Sequence, residues 1–128
     1  MWVLIYISVA YLSQGGMVQG LGTGNTGAEV FGSQAACERV ATGMGNLADS
    51  NGYWSRAKCF EAGTGDDERL LFWIVKHENG VRSPGVPFVI QGSAKFSSTT
   101  ACEPAMEWVR KLQSLQPMEF GASCSPQK

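Results

Sequence analysis

Two cysteine pairs in this chain share one spacing inside one local frame. The first block reads Phe31-Gly32-Ser33-Gln34-Ala35-Ala36-Cys37-Glu38, with a second cysteine at Cys59. The other reads Phe96-Ser97-Ser98-Thr99-Thr100-Ala101-Cys102-Glu103, with its partner at Cys124. The intervals 59 − 37 and 124 − 102 are both 22. Phe, Ser, Ala, Cys and Glu recur in register, and each second cysteine closes an Ala-x-Cys (Ala57-Lys58-Cys59, Ala122-Ser123-Cys124). A unit about half the chain long is read as duplicated, with residues 1–62 as the first repeat, 63–67 as a linker and 68–128 as the second repeat. At 128 residues the copies are too small to bury much surface separately. They are expected to pack on each other as one compact domain.

Each repeat reads as β-β-α-β. The apolar, β-branched and aromatic runs Trp2–Tyr11 and Leu70–His77 suit buried first strands. Glycine-containing stretches follow at Gln14–Gly27 and Glu78–Gly85. In the second repeat that stretch leads into a strand at Pro87–Ile90. In the first, Met17–Val18 or Ala28–Phe31 would serve. Helices follow, with apolar faces Cys37, Val40, Ala41, Met44 and Leu47 or Ala48, and then Cys102, Ala105, Met106, Val109, Leu112 and Leu115. Ser33 and Thr100 are candidate N-caps, and Thr100-x-x-Glu103 matches a capping box. Pro104 then has to lie in the first turn. Gly43 and Gly45 weaken the first helix by about 1 kcal/mol each relative to Ala, so the second helix is expected to be longer. Short final strands near Tyr53–Phe60 and Met118–Cys124 complete each unit. The fold class is therefore α+β, with antiparallel sheets, one helix per repeat and the repeats packed as a pseudo-twofold pair, a sheet continuous across the halves being one form of it.

This topology explains the cysteine spacing. A cysteine on the first helical turn faces the sheet, and the chain returns along the last strand to the start of that helix. Cys37 and Cys59, and Cys102 and Cys124, are thereby brought within reach. Two readings remain: disulfides worth about 3 kcal/mol each in the chain-entropy model, or reduced thiols in contact, as in a cytosol.

Ten Lys and Arg balance eleven Asp and Glu, which argues against a nucleic-acid surface built on clustered cations. The N-terminal apolar run is shorter than the roughly 20 residues of a membrane helix. It also lacks the basic start of a signal peptide, so it is read as a strand. Gly22-Thr23-Gly24-Asn25-Thr26-Gly27 matches G-x-G-x-x-G, with Asp49 at a suitable distance. It has no strand-turn-helix context and no counterpart in the second repeat, and it is read as a flexible loop. The cysteine spacing does not suit zinc, which favours closely spaced pairs. No cofactor or metal is expected. His77, the only histidine, is read as a strand-end or surface residue; any Cys-His or Ser-His catalyst has to use it.

The aromatic content is high for so short a chain. Most of these rings are expected in the core. Tyr53, Trp54 and Trp108, rimmed by Arg56, Arg110 and Lys111, are the candidates for a protein-binding surface, because Trp, Tyr and Arg dominate interface hot spots.

The Met1-Trp2-x-Leu4 start, the F-x-S-x-x-A-C-E block and the closing A-x-C resemble small proteobacterial and phage proteins that hold a single unit of this kind. Trp73 departs from the frame, because it is displaced from the position matching Trp2. The resemblance implies a non-enzymatic inhibitor or adaptor that binds a bacterial protein complex such as a CRISPR effector, as anti-CRISPR proteins do. The expected partner is then a protein, with no direct nucleic acid and no membrane. The chain would be a monomer of pseudo-dimeric halves, able to homodimerise further, in the cytoplasm of a bacterial host. The alternative is a disulfide-stapled structural domain of the periplasm or outside the cell. An enzyme centred on His77 with a nearby cysteine or carboxylate is the third reading.

Overall fold

A computed structural model describes residues 1–14, 17–50, 53–82, 84–112 and 118–126; the side chains of 12–14, 17–19 and 46–50 are outside the described set. The element order is β1 (Trp2–Gln14), β2 (Met17–Phe31), α1 (Gln34–Ser50), β3 (Tyr53–Glu61), β4 (Arg69–His77), β5 (Phe88–Phe96), α2 (Thr99–Arg110) and β6 (Glu119–Pro126). This is α+β, with β-β-α-β occurring twice. Two three-stranded antiparallel sheets form, ordered β2-β1-β3 and β5-β4-β6; among the described residues the ladders stay within each half, and an isolated parallel bridge, Leu21 to Gly85, links one half to the other.

The halves match residue by residue around their central strands. Leu4 lies opposite Cys59, and Leu71 lies opposite Cys124. Two residues further on, Tyr6 stands between Gly27 and Ala57, while Trp73 stands between Gly92 and Ala122. In both, a large ring occupies the space beside a cross-strand glycine. A Cβ at Gly27 would lie 2.7 Å from Tyr6 Oη, and one at Gly92 would run into the Trp73 indole. Cys37–Cys59 and Cys102–Cys124 are disulfides, with Cα–Cα separations of 6.1 and 6.3 Å.

Because side chains alternate across a strand, each sheet has a helix face, marked by its strand cysteine, and a far face. In the first sheet α1 covers the helix face, where Leu4, Cys37 and Cys59 form a small buried cluster with Trp2, Phe31, Ala41 and Met44 against it. Its far face carries Val3, Ile5, Ile7 and Val9. These share the main core with Leu71, Trp73 and Val75 from the helix face of the second sheet, and with Cys102, Ala105 and Val109 of α2. Trp73 Nε1 donates to Thr26 Oγ1 at 2.7 Å across this boundary. A Cβ at Gly24 would lie 2.9 Å from Ile90 Cδ1.

The halves therefore meet far face to helix face. A twofold pairing would bring like faces together, so the pseudo-twofold expectation is corrected at the level of packing. No described element packs on the far face of the second sheet, and Phe72 on it is 40% exposed.

Several local expectations also change. The glycine-rich run 22–27 belongs to strand β2 rather than to a loop. The close approaches of Tyr6 and Ile90 give Gly27 and Gly24 a packing reason to be there. The second strand of the second half is Phe88–Phe96, longer than the reading at Pro87–Ile90. Ser33 caps α1 through Ala36 N–H at 3.2 Å. The cap of α2 is Ser98, not Thr100; its hydroxyl accepts from Ala101 N–H, and its position matches Ser33 in the repeat. Pro104 consequently lies beyond the first turn, inside the helix. At 17 residues α1 is the longer helix, against 12 for α2. The glycine cost at Gly43 and Gly45 is small enough for tertiary packing to offset. Val40 is 39% exposed and not on the buried face of α1. The expected apolar positions Leu47 and Ala48 have undescribed side chains, and Leu115 lies outside the described residues.

Candidate functional site

The face of β3 that points into the protein carries Trp54, Arg56, Lys58 and Phe60 at successive alternate positions. The two ends of this row are apolar and enter the core. Trp54 packs on Phe120 with ring centroids 5.7 Å apart, and Phe60 meets Trp108 of α2 edge-on at the same separation. The two middle positions are cationic and cannot follow. They open a groove against α2.

The groove encloses about 530 Å³. Arg56 and Lys58 form one wall, Pro104, Glu107, Trp108 and Lys111 the other, and Leu112 one end. Three cations thus surround one carboxylate in a chain whose net charge is −1. Arg56 is held in place. Its guanidinium lies 5.0 Å from the Trp54 ring centroid, and Nη1 donates to Ser55 O at 2.7 Å. Lys58 Nζ lies 5.7 Å from the centre of the Phe60 ring. Among the described residues no carboxylate lies within ion-pair distance of Arg56 or Lys58. Glu107 is shared, at 3.8 Å from Lys111 and 3.9 Å from Arg110. Exposed pairs at such distances contribute little, so Lys111 can re-pair at small cost.

Near Arg56, two polar atoms are buried without a hydrogen-bond partner among the described residues: Trp54 Nε1 and Tyr11 Oη. Burial pushes the Tyr11 phenol above its ordinary pKa, and the nearby Arg56 charge acts in the opposite direction.

Of the six residues read as a partner surface, the structure brings Arg56, Trp108 and Lys111 together in the groove. It separates the other three. Trp54 is buried in the core beneath Arg56. Tyr53 is on the opposite face of the same strand, by alternation. Arg110 turns toward β6, where Nε donates to Ala122 O at 3.0 Å. Sequence reading missed Lys58, Glu107, Pro104 and Leu112. The alternation from Trp54 to Phe60 would have placed Lys58 beside Arg56, but the contact with α2 has no local signature.

His77 is not at the surface; it is 1% exposed, with Nδ1 3.0 Å from Val86 O and its ring against Phe88. The four cysteines are tied up in the disulfides. The G-x-G-x-x-G run lies within an antiparallel strand, not at a strand-to-helix turn, and the side chain of Asp49 is outside the described residues. Among the described residues, no three His, Cys, Asp or Glu side chains group as metal ligands would. None of the helices so described is long and apolar enough to cross a membrane. The chain matches no protein-family model, and no curated protein or solved structure is significantly similar to it.

Proposed function

We propose that this protein is a non-enzymatic interaction module that binds a protein partner through the β3–α2 groove. One observation carries the reading: two cations, Arg56 and Lys58, stand beside a half-buried tryptophan with no carboxylate of the described chain to neutralise them. Interface hot spots combine aromatic anchors and Arg in this way. The duplicated β-β-α-β unit acts as the scaffold, and the groove arises where the first copy meets the helix of the second.

A second reading concerns where the module works, and the two disulfides favour it. Disulfides persist in oxidising compartments and are rare in the cytosol, which suits a stapled extracytoplasmic domain. The phage-type inhibitor reading, with a cytoplasmic complex such as a CRISPR effector as the partner, rests on sequence resemblance alone and sits less well with the disulfides. A thiol count in denaturant without reductant separates them. No free thiol in protein isolated from its native compartment supports the oxidising setting; four free thiols support the cytosol.

The binding reading is tested by placing a photo-crosslinking residue at Lys111 and, as a control, at Lys95. Partner adducts are expected at the first position only, and they should be lost when Arg56→Glu and Lys58→Glu are added. Adducts at both positions, or adducts indifferent to the charge reversals, contradict it.

A further inference from the structure

We infer that the groove takes an extended acidic segment of its protein partner, with carboxylates on Arg56, Lys58 and Lys111 and an apolar side chain on Trp108 and Leu112; this deepens the interaction-module reading and rests on it. Charge complementarity identifies the occupant. The walls present three cations against one carboxylate, Glu107, whose contacts at 3.8 Å to Lys111 and 3.9 Å to Arg110 are exposed and weak, so that Lys111 can turn to an incoming group. An incoming carboxylate meets Arg56 in a fixed orientation, because stacking on Trp54 and the bond to Ser55 O have already ordered the guanidinium. Preorganised Arg loses less freedom per contact formed and offers two parallel donors to a carboxylate.

The rest of the lining is not ionic. Trp108, Pro104 and Leu112 offer an apolar strip along the α2 side of the same groove. A ligand that is acidic alone would leave that strip wet, and one that is apolar alone would cover unpaired cations, which is costly. A peptide that carries both groups satisfies both walls. A nucleic-acid strand suits the site less well, because three cations in one groove, on a chain whose ten Lys and Arg are balanced by eleven Asp and Glu, do not form the extended basic track that a phosphate backbone follows.

The test is selection of a random dodecapeptide library on the intact, oxidised protein, with the variant Arg56→Glu, Lys58→Glu, Lys111→Glu as counter-selection. Enrichment of peptides carrying several Asp or Glu around a Leu, Phe or Trp is expected. A fluorescent peptide of that composition should bind the native protein and lose about tenfold or more in affinity to the triple variant. Its affinity should fall with added salt, and Trp108→Ala should weaken it in the charge-intact background. All these positions are at least partly exposed, and circular dichroism with an unchanged melting temperature confirms that the variants fold. Enrichment of neutral or basic peptides that still depend on the groove overturns the acidic occupant while leaving a peptide-binding groove. Absence of any groove-dependent peptide, or equal binding of a single-stranded DNA oligonucleotide, overturns the acidic occupant; the former, together with failure of the Lys111 crosslink, overturns the interaction-module reading as well.

Discussion

The two halves of this molecule have the same topology, the same disulfide position and the same ring-beside-glycine packing, yet they are buried differently. In the first sheet both faces are covered: α1 lies on one, and the second half lies on the other. In the second sheet the described elements cover only the helix face, through α2 and the first sheet together, and Phe72, Val89, Gln91, Ser93 and Lys95 on the far face are exposed. The flanking strands show the consequence. On the far face, β5 presents Val89, Gln91, Ser93 and Lys95, all exposed, while its other face carries Ile90, Gly92, Ala94 and Phe96. The matching far-face positions of the first sheet include Ala28, Thr26 and Gly24, small enough for the second half to approach. Two halves of one topology are therefore not bound to pair through like faces. When unlike faces meet, the contact is heterologous, and each copy is free to become a different surface. The groove is one result, since it needs β3 from one copy and α2 from the other.

The largest expected contrast is between equivalent far-face positions. Ile5→Lys puts an unpaired charge into the core and should cost more than about 4 kcal/mol, in practice unfolding the chain. Phe72→Lys, at the matching position of the second sheet, should stay under about 1 kcal/mol by urea denaturation. Similar losses at both sites would break the distinction. Next come the paired rings. Trp73 is fully buried whereas Tyr6 is half-buried, so Trp73→Ala should cost about 3–5 kcal/mol and Tyr6→Ala clearly less, read from the same denaturation midpoints.

The disulfides sharpen the comparison further. Their loops are equal, so the chain-entropy model assigns both about 3 kcal/mol. Cys102 belongs to the main core, while Cys37 belongs to a cluster with two other buried members among the described residues, Leu4 and Cys59. Replacing Cys102 and Cys124 by Ala should therefore lower the thermal midpoint more than replacing Cys37 and Cys59. A smaller effect than the loss of a core ring or a disulfide is expected at the seam. Thr26→Val keeps the shape but leaves the buried Trp73 N–H without its acceptor, at a cost of about 1–3 kcal/mol. A double-mutant cycle with Trp73→Phe should show the two losses coupled.

Much of this architecture was legible from the cysteines and their frame. The repeat, the β-β-α-β order and the approach of Cys37 to Cys59 and of Cys102 to Cys124 follow from spacing, because a helix start and a returning strand fix where a side chain can reach. Strand β2 was legible only at its two ends, Met17–Val18 and Ala28–Phe31, because glycine is depleted in strands, and the reason for Gly24 and Gly27 lies in side chains remote in sequence. The cap of α2 was misplaced because Ser98, Thr99 and Thr100 are all competent capping residues, and only the chain path selects Ser98. The pairing of unlike faces could not be read from β1 and β4, which are both nearly continuous apolar runs. The polar alternation in β5 carried the relevant information. Of the site, Arg56, Trp108 and Lys111 were found by residue type alone. Their separation from Tyr53, Trp54 and Arg110 depends on strand alternation and on which side of α2 faces β3.

The central claim is that the far face of the first sheet packs on the helix face of the second. Hydroxyl-radical footprinting read by mass spectrometry tests it most directly, because β1 and β4 carry oxidisable side chains on both faces. Protection of Ile5, Ile7 and Trp73 together with ready modification of Phe72 is the predicted pattern. Equal modification of Ile5, Ile7 and Phe72, or protection of all three, would contradict the packing and remove the groove built upon it.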